Sequence, residues 1–394
     1  MVKYGLLALL ILAVVLTGFS LIDGGSGDIS AQANMIGGSP SIAGYARAID
    51  PYDWNFPRDF GSHDAFQTEW WYYTGNLADE SGRRFGFQFT IFRRAIAPST
   101  SPTESASEWR TSQIYMAHFT VSDVEGEQFF HDERYGRGGA NLAGALPNEA
   151  NPTADYRVWL EDWEIYALDD THQTTRISAQ SDQFSVDLTL QQTKSPALQG
   201  DNGLSQKSAD AGNASYYYTL SRLLTDGTIT INGQSFTVTG NTWKDHEFST
   251  SALGTGAQGW DWFGLIFDND YELMVGKIRM EDGGREPAFG GLLIYPDGTT
   301  RYLSAEEFTI TETDTWRSPH TNADYPSGWT ITLSGAIFDD EQSRTLTVTP
   351  LAKDQELNSG GIAYWEGAVQ ITGDFSGYGY AELTGYVSTM NGRF

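Results

Sequence analysis

The stretch "RRFGFQFTIFRR", residues 83–94, determines the fold class of this chain. Phe85, Phe87, Phe89 and Ile91 alternate there with small or polar residues. Successive side chains of an extended chain point to opposite faces, so these four apolar side chains would share one face. The pattern predicts a β-strand that is half buried.

The same period of two continues along most of the chain. The run "TITINGQSFTV", residues 228–238, has two alternating segments around Asn232-Gly233, which is a hairpin signature. The runs at 328–338 and 368–375 alternate in the same way, and no segment shows a long helical period with caps. The chain is therefore predicted to be all-β, with antiparallel barrels or sandwiches and few, short helices.

The length of 394 residues favours two domains. The small, polar stretch "STSALGTGAQ", residues 249–258, is the predicted boundary. We therefore expect a leader at 1–44, an N-terminal domain at 45–250 and a C-terminal domain at 251–394.

The leader has the features of an export signal. Lys3 precedes an apolar run at 5–22, and the small-residue stretch "AQA" follows at 31–33. The run is long enough that it fits either a cleaved signal peptide or an uncleaved membrane anchor. Either way, the protein is expected to be exported, to the periplasm or the outside of the cell.

Composition excludes several kinds of partner and chemistry. The net charge is −27, which disfavours nucleic acid as a partner, since phosphate binding needs clustered basic residues. The absence of cysteine excludes disulfides and thiolate sites, and the six histidines have no metal-ligand spacing. Neither a metal nor another cofactor is predicted.

Residues 69–75, "EWWYYTG", set one acid beside four aromatic rings. On a strand, Glu69 and Trp71 would share one face, and Trp70 and Tyr72 the other. A carboxylate among rings must either be hydrogen-bonded or have a raised pKa. The first alternative makes Glu69 part of the scaffold, and the second makes it a candidate acid.

Two further stretches carry candidate chemistry. In "NTWKDHEFS", residues 241–249, Asp245 and Glu247 would share one strand face and His246 the other. Such a cluster is either a site with shifted pKa values or a structural network. The stretch "GWDWFGLIF", residues 259–267, places Trp260 and Trp262 on one face, where rings are core by default. The polar segment 194–215 is either a pocket rim or a solvated crossover.

Several of these motifs together resemble one known family. The motifs "FGSHDAFQTEWWYYTGNL" (60–77), "MAHFTVSD" (116–123), "NASYYYTLSRL" (213–223), "GNTWKDHEFS" (240–249) and "YWEGAVQITGDFSGYGYAELTGY" (364–386) are similar to the AttH and carotenoid 1,2-hydratase family. The similarity covers about residues 55–394. It implies two lipocalin-like domains and a large apolar cavity that binds an isoprenoid or lipid-like molecule.

The resemblance implies either of two functions, an acid–base hydro-lyase like the carotenoid hydratases or a carrier that leaves its ligand unchanged. Hydration of an isolated alkene needs a strong acid in a dry site and ring faces that stabilise a cation. The candidate catalytic residues are Asp245, His246, Glu69 and His118. The candidate ligand-binding residues are Trp70, Trp71, Tyr72, Trp243, Phe248, Trp260 and Trp262. Hydratases of phototrophs carry Asn and Trp where this chain has Glu247 and Phe248.

Overall fold

We analysed a computed structural model of the chain, which describes residues 42–98, 107, 109–250, 253–359 and 362–390. Almost all regular structure in these ranges is antiparallel β-strand, in two nearly closed, barrel-like sheets and one small sheet. Three short 3-10 helices accompany them, at Arg58–Phe60, Gly139–Asn141 and Gly335–Phe338. The predicted fold class, two lipocalin-like antiparallel barrels with few, short helices, is confirmed.

Most of the predicted leader, residues 1–41, lies outside the described residues. Among the residues that are described, no helix is both long and apolar enough to cross a membrane.

The first sheet has 13 strands and contains every strand up to Ser249. Its strands are β1 (Thr68–Asp79), β2 (Arg84–Ala95), β3 (Gln113–Asp123), β4 (Gln128–Arg137), β5 (Ala143–Leu146), β6 (Arg157–Leu160), β7 (Trp163–Ala167), β8 (Thr174–Gln180), β9 (Phe184–Gln192), β10 (Ala197–Leu198), β11 (Leu204–Gln206), β12 (Ala214–Ile231) and β13 (Gln234–Ser249). The order is β4-β3-β2-β1-β13-β12-β9-β8-β7-β6-β5, and β10 and β11 both pair with β12.

The remaining strands begin at Ala257. They are β14 (Ala257–Phe267), β15 (Glu272–Met280), β16 (Gly291–Ile294), β17 (Thr300–Leu303), β18 (Phe308–Glu312), β19 (Thr315–Arg317), β20 (Asp324–Pro326), β21 (Trp329–Leu333), β22 (Arg344–Pro350), β23 (Glu356–Ser359), β24 (Ile362–Gly373) and β25 (Gly377–Leu383). Strands β19 and β20 form the small sheet, and the others form a sheet of order β17-β16-β15-β14-β25-β24-β22-β21-β18, with β23 on β24.

The hairpin predicted at Asn232-Gly233 joins β12 to β13. Ile231 pairs with Gln234, so the two residues between them make the turn. Both turn residues have positive φ, 50° for Asn232 and 80° for Gly233, as a type I′ turn requires. The hairpin prediction is confirmed.

Each large sheet encloses its own apolar core. The first is filled by side chains such as Trp71, Phe87 and Trp163, and the second by Phe263, Trp329 and Trp365. A further cluster of buried side chains lies between the outer faces of the two sheets. The sheets therefore share a packed interface as well as having separate interiors.

That interface corrects the prediction of a half-buried strand at β2. Phe87 and Phe89 face the first core as expected, but Gln88 and Thr90 on the opposite face are also fully buried. Gly86 shows why: a Cβ there would lie 2.9 Å from both the Ala368 Cβ and the Tyr380 hydroxyl of the second sheet. The second barrel covers the face that the alternation assigned to solvent.

Candidate functional site

A cavity lies between the two large sheets, where their outer faces meet. The first sheet lines it with Trp70, Tyr72 and Asp245, and the second with Trp260 and Glu382, among others. The space between its lining atoms amounts to about 970 Å³, a volume that includes open solvent. Its surface is largely apolar with a few polar groups, which is the usual character of a small-molecule site.

Strand alternation selects the residues that face this cavity. Trp70 and Tyr72 of β1 lie directly opposite Glu247 and Asp245 of β13, and all four line the cavity. The intervening residues of both strands point into the first barrel. Four ring-bearing or acidic side chains therefore meet on one patch of sheet.

Asp245 is buried in this patch, and three groups hydrogen-bond to its carboxyl. Oδ1 accepts hydrogen bonds from the Thr219 hydroxyl at 2.6 Å and the Trp243 indole at 2.9 Å, and the Tyr217 hydroxyl bonds to it as well. Burial raises the pKa of Asp245 to about 7 despite these bonds, and the nearby Glu247 carboxylate raises it further. Asp245 can therefore hold a proton near neutral pH.

The second sheet brings two more acids to the cavity region. Glu366 of β24 and Glu382 of β25 lie directly opposite each other, an arrangement that disfavours two charges. Burial raises the pKa of Glu382 to about 7, although the Trp260 indole donates to it at 2.9 Å. Burial and the neighbouring Glu382 raise the pKa of Glu366 well above its usual range.

Glu366 is the most enclosed of these acids. One oxygen accepts a hydrogen bond of 2.6 Å from the Tyr72 hydroxyl, across the interface between the sheets. The other, Oε2, is buried without a hydrogen-bond partner among the described residues. Asp245, Glu366 and Glu382 thus form a group of acids that favour the protonated form.

His118 supplies a neutral imidazole to the same cavity. Burial lowers its pKa to about 3, with a smaller contribution from His131. Its Nδ1 lies 2.7 Å from the Tyr364 hydroxyl, and its Nε2 lies 3.8 Å from a Glu133 oxygen, beyond hydrogen-bond distance. An uncharged imidazole in this position can accept a proton.

The polar segment 194–215, for which a pocket rim and a solvated crossover were the two alternatives, contributes Lys207 to the cavity lining. The Lys207 ammonium lies 2.8 Å from Glu247 and 4.9 Å from the centre of the Phe289 ring. Short strands β10 and β11 attach the segment to β12, so it is not a structureless crossover. Of the two alternatives for this segment, the geometry matches the rim.

Glu69 does not line the cavity but sits at the centre of a buried ionic cluster. Its carboxylate lies 2.9 Å from Arg93 Nε and 2.8 Å from both His63 Nδ1 and His246 Nε2. Burial alone would raise the pKa of Glu69, but Arg93 and the two histidines lower it well below its usual range. Of the two alternatives for this acid, the contacts match the hydrogen-bonded one.

His246 belongs to the same cluster and faces away from Asp245. It contacts Glu69 through Nε2 and the Tyr218 hydroxyl through Nδ1, at 3.1 Å. Burial lowers the pKa of His246 to about 4, against the opposing effect of Glu69. A direct proton exchange between His246 and Asp245 is therefore not available in this geometry.

The donors of His63, Glu69 and His246 form the one group within the described ranges with spacing suited to a metal ion. These donors already bond to one another, and the guanidinium of Arg93 touches the Glu69 carboxylate. A metal ion in the group would have to displace these bonds beside a fixed cation. The contacts are those of a self-satisfied ionic network.

Of the seven aromatic residues predicted to bind a ligand, four line the cavity and three do not. Trp70, Tyr72, Trp260 and Trp262 line the cavity. Trp243 lies behind them, packing 6.0 Å from Trp262 and donating to Asp245. Trp71 lies in the first barrel against His246, and Phe248 stacks on His63 at 3.6 Å.

Sequence patterns did not reveal Tyr217, Lys207 and Glu382, which line this cavity, or Glu366, which bonds to the cavity residue Tyr72. The two glutamates lie in "YWEGAVQITGDFSGYGYAELTGY", a motif noted only for its resemblance. Glu366 follows Tyr364 by two residues and Glu382 follows Tyr380 by two residues, so on a strand each glutamate shares a face with a tyrosine. This spacing was the available signal in the sequence. It becomes informative only when the pairing register is known.

Comparison with known proteins supports one family. The model of the AttH-like family matches residues 47–386. A search of curated proteins gave no match. The crystal structure of an AttH from Nitrosomonas europaea is 34% identical and superposes with a TM-score of 0.73, covering 87% of this chain and 99% of that one.

Two more distant structures share the fold. Kievitone hydratase from Nectria haematococca is 15% identical with a TM-score of 0.64, over 88% of this chain and 97% of its own. CghA is 12% identical with a TM-score of 0.52, over 82% and 89%. These two similarities concern the fold alone, whereas the family match spans most of the sequence. The chain belongs to the AttH-like family.

Proposed function

We propose that this protein binds a large apolar, isoprenoid- or lipid-like molecule in the cavity between its sheets and hydrates a double bond of that molecule. The observation that carries the proposal is the pairing of aromatic walls with carboxyls whose pKa values are raised. Asp245 and Glu382 both have a pKa raised to about 7, and Trp70, Trp260 and Trp262 stand around them. The similarity in fold to kievitone hydratase is consistent with this chemistry.

In this mechanism Asp245 is the acid. Hydrogen bonds to its Oδ1 from Thr219 and Trp243 fix the carboxyl plane, so the other oxygen carries the proton. Transfer of that proton to an alkene carbon forms a carbocation at the neighbouring carbon. The faces of Trp70 and Trp262 are electron-rich and lower the energy of such a cation.

Water then captures the cation, and the resulting oxonium must lose a proton. His118 is the proposed acceptor, because its imidazole is neutral and lines the same cavity. Its low basicity is no obstacle, since a protonated alcohol is a far stronger acid than an imidazolium. Return of that proton to Asp245 through water completes the cycle.

The competing proposal is a carrier without catalysis, and Lys207 is the observation that favours it. The Lys207–Glu247 pair places a fixed cation at the cavity wall. Such a cation suits a ligand with an anionic head group held at the mouth. A carrier would use the acids only as hydrogen-bond donors.

The test is incubation of the purified protein with a lycopene-like polyene, followed by mass analysis of the products. Hydration predicts a water adduct that falls by about 100-fold or more in Asp245→Asn, the scale of general acid catalysis. The control is Asp187→Asn, which removes an exposed carboxylate paired to Arg176. Tight binding of unchanged polyene by both variants would support the carrier, and no binding at all would refute both proposals.

We also propose that residues 1–44 direct export. Fractionation of cells that express the full chain tests this, together with the mass of the mature protein. Recovery in the cytoplasm with the N-terminus intact would contradict it.

A further inference from the structure

A groove lies beside the cavity between the sheets, where the polar segment 194–215 packs against the outer face of the second sheet. This outer groove is lined by Ser205, Met274 and Ala288, among others, and its volume is about 340 Å³. Small-molecule sites usually occupy roughly 300 to 1,000 Å³, so the outer groove has room for a substantial part of a ligand. The proposed hydration does not use it.

The cavity and the outer groove share one floor, the outer face of β15. Ile278 lines the cavity and Met274 lines the groove. Strand alternation places both side chains on the same face, with Gly276 between them. Because Ile278 follows Met274 by four residues, a ligand that contacts both must extend over roughly 13 Å along the strand.

A second wall is shared in the same way. Ser205 of β11 lines the groove, and Lys207, two residues further along the chain, lines the cavity. The Lys207 ammonium donates a hydrogen bond of 3.3 Å to the Ser205 hydroxyl. The cavity and the groove therefore lie between the same two parts of the chain.

Phe289 stands where the two spaces meet. Its side chain lines both of them, which no other residue in the described ranges does. The ring lies over Gly276, since a Cβ at Gly276 would be 2.8 Å from the ring atom Cε1. The Lys207 ammonium lies 4.9 Å from the centre of the same ring. The Phe289 side chain thus separates the cavity from the groove between the shared floor and the shared wall.

We propose that the outer groove is a second compartment of the ligand site, and that the ligand is an elongated, neutral isoprenoid that passes from the cavity into the groove when the Phe289 ring turns aside. This inference rests on the proposed binding of an apolar molecule between the sheets. A phenylalanine side chain can change its rotamer while the backbone stays in place. The exposed backbone of Gly276 then forms the floor of one continuous channel.

The lining of the groove gives the ligand its class. Leu204, Met274 and Ala288 supply apolar contacts. Asp201 is the one charged side chain among the described residues that line the groove, and its carboxylate repels an anionic group. The Ser205 hydroxyl can hydrogen-bond an alcohol. The part of the ligand in the groove is therefore hydrocarbon or a neutral alcohol, and a carboxylate or a diphosphate does not suit it.

The experiment compares equilibrium binding of two radiolabelled alcohols, geraniol and the longer geranylgeraniol, to the purified protein. Ala288→Phe fills the groove, and Ala150→Phe makes the same change at an exposed loop position that lines neither space. We expect Ala288→Phe to lower the ratio of the geranylgeraniol affinity to the geraniol affinity at least about 10-fold, the effect of keeping two methylene groups in water. The ratio should not change in Ala150→Phe. An equal ratio in the two variants would overturn the proposal.

The wild-type protein separates this inference from the proposed function. Failure of the wild type to bind either alcohol would refute the binding of an apolar molecule between the sheets, and this inference with it. Binding of geraniol by the wild type, combined with an unchanged affinity ratio in Ala288→Phe, would refute the second compartment alone.

Phe289→Leu tests the separation of the two compartments. Leucine is smaller and leaves the floor at Gly276 open. Geranylgeraniol should then associate at least about 5-fold faster than with the wild type, because association is slow when a side chain must first move. Geraniol, which fits on one side of the ring, should associate at an unchanged rate. Stopped-flow quenching of tryptophan fluorescence measures both rates, and equal rates for geranylgeraniol in variant and wild type would contradict the role of Phe289.

Discussion

The same substitution at two buried glutamates should have opposite consequences. Glu69 and Glu366 are both completely buried, but their surroundings differ in charge. Glu69 contacts the buried guanidinium of Arg93, whereas Glu366 receives a hydrogen bond from Tyr72 and faces another acid. We compare Glu69→Gln with Glu366→Gln at neutral pH.

Glu69→Gln leaves Arg93 buried without its anion. Arg93 also donates to the His63 and Phe66 carbonyl groups, and these dipoles do not replace a full charge. Removal of one partner of a buried pair typically costs about 3 to 5 kcal/mol, and we expect a loss in that range. Glu366→Gln replaces a carboxyl that is already protonated with a neutral group of the same shape, so its effect should stay within about 1 kcal/mol below about pH 4.3, where the unfolded carboxyl is protonated too. At neutral pH the unfolded wild-type carboxyl is ionised, so Glu366→Gln should raise the free energy of unfolding.

The pH dependence of stability provides an independent check on the direction of the change in each variant. The pKa of Glu69 is lowered by folding, so its contribution is present above about pH 4.3 and is lost as the pH falls through the lower folded value. The pKa of Glu366 is raised, so the wild-type protein loses stability as the pH rises above about 4.3. Glu366→Gln should therefore gain stability relative to wild type as the pH rises above about 4.3, while Glu69→Gln should recover stability relative to wild type only in acid.

Urea unfolding followed by tryptophan fluorescence measures both variants. The free energy of unfolding, compared at neutral and acidic pH, gives the two differences. If Glu69→Gln proves no more destabilising at neutral pH than Glu366→Gln, the assignment of Glu69 to a charged scaffold is wrong.

Three further outcomes follow from the contacts. Glu272→Gln should cost about 3 kcal/mol in urea unfolding, because the buried carboxylate binds both Lys194 and Arg222 across the two sheets; an unchanged unfolding midpoint would contradict this. Binding of a neutral polyene should weaken as the pH rises through about 7, where Asp245 ionises inside the apolar cavity, and a fluorescence titration at pH 6 and pH 8 tests it. Gly233→Ala should cost about 1 kcal/mol from its φ of 80° alone, since no atom lies within 4 Å of the added Cβ; thermal unfolding without a shift would disprove it.

Local pattern was sufficient for much of the fold. Alternation identified β2, and the Asn232-Gly233 pair identified the hairpin, because both depend on neighbours in sequence. The burial of Gln88 and Thr90 was not predictable in this way. It arises from the packing of a second barrel on the first, which no local period records.

The strand face of each candidate site residue could be predicted from the sequence, but its neighbours on adjacent strands could not. Strand geometry correctly separated Asp245 from His246, and Trp70 from Trp71. The two alternatives for Glu69 could not be resolved, because they depended on Arg93, which lies opposite Glu69 only through the register of β1 and β2. Glu366 and Glu382 likewise become neighbours only through the register of β24 and β25.

Strand β13 is a partition with different chemistry on its two sides. Lys244 and His246 point into the barrel, and Asp245 and Glu247 into the cavity between the sheets. Insertion of a single residue ahead of Trp243 would exchange the two sets, turning an amine toward the cavity between the sheets and carboxylates into the barrel. A change in the length of this segment would therefore alter both compartments at once, whereas a replacement would alter only one.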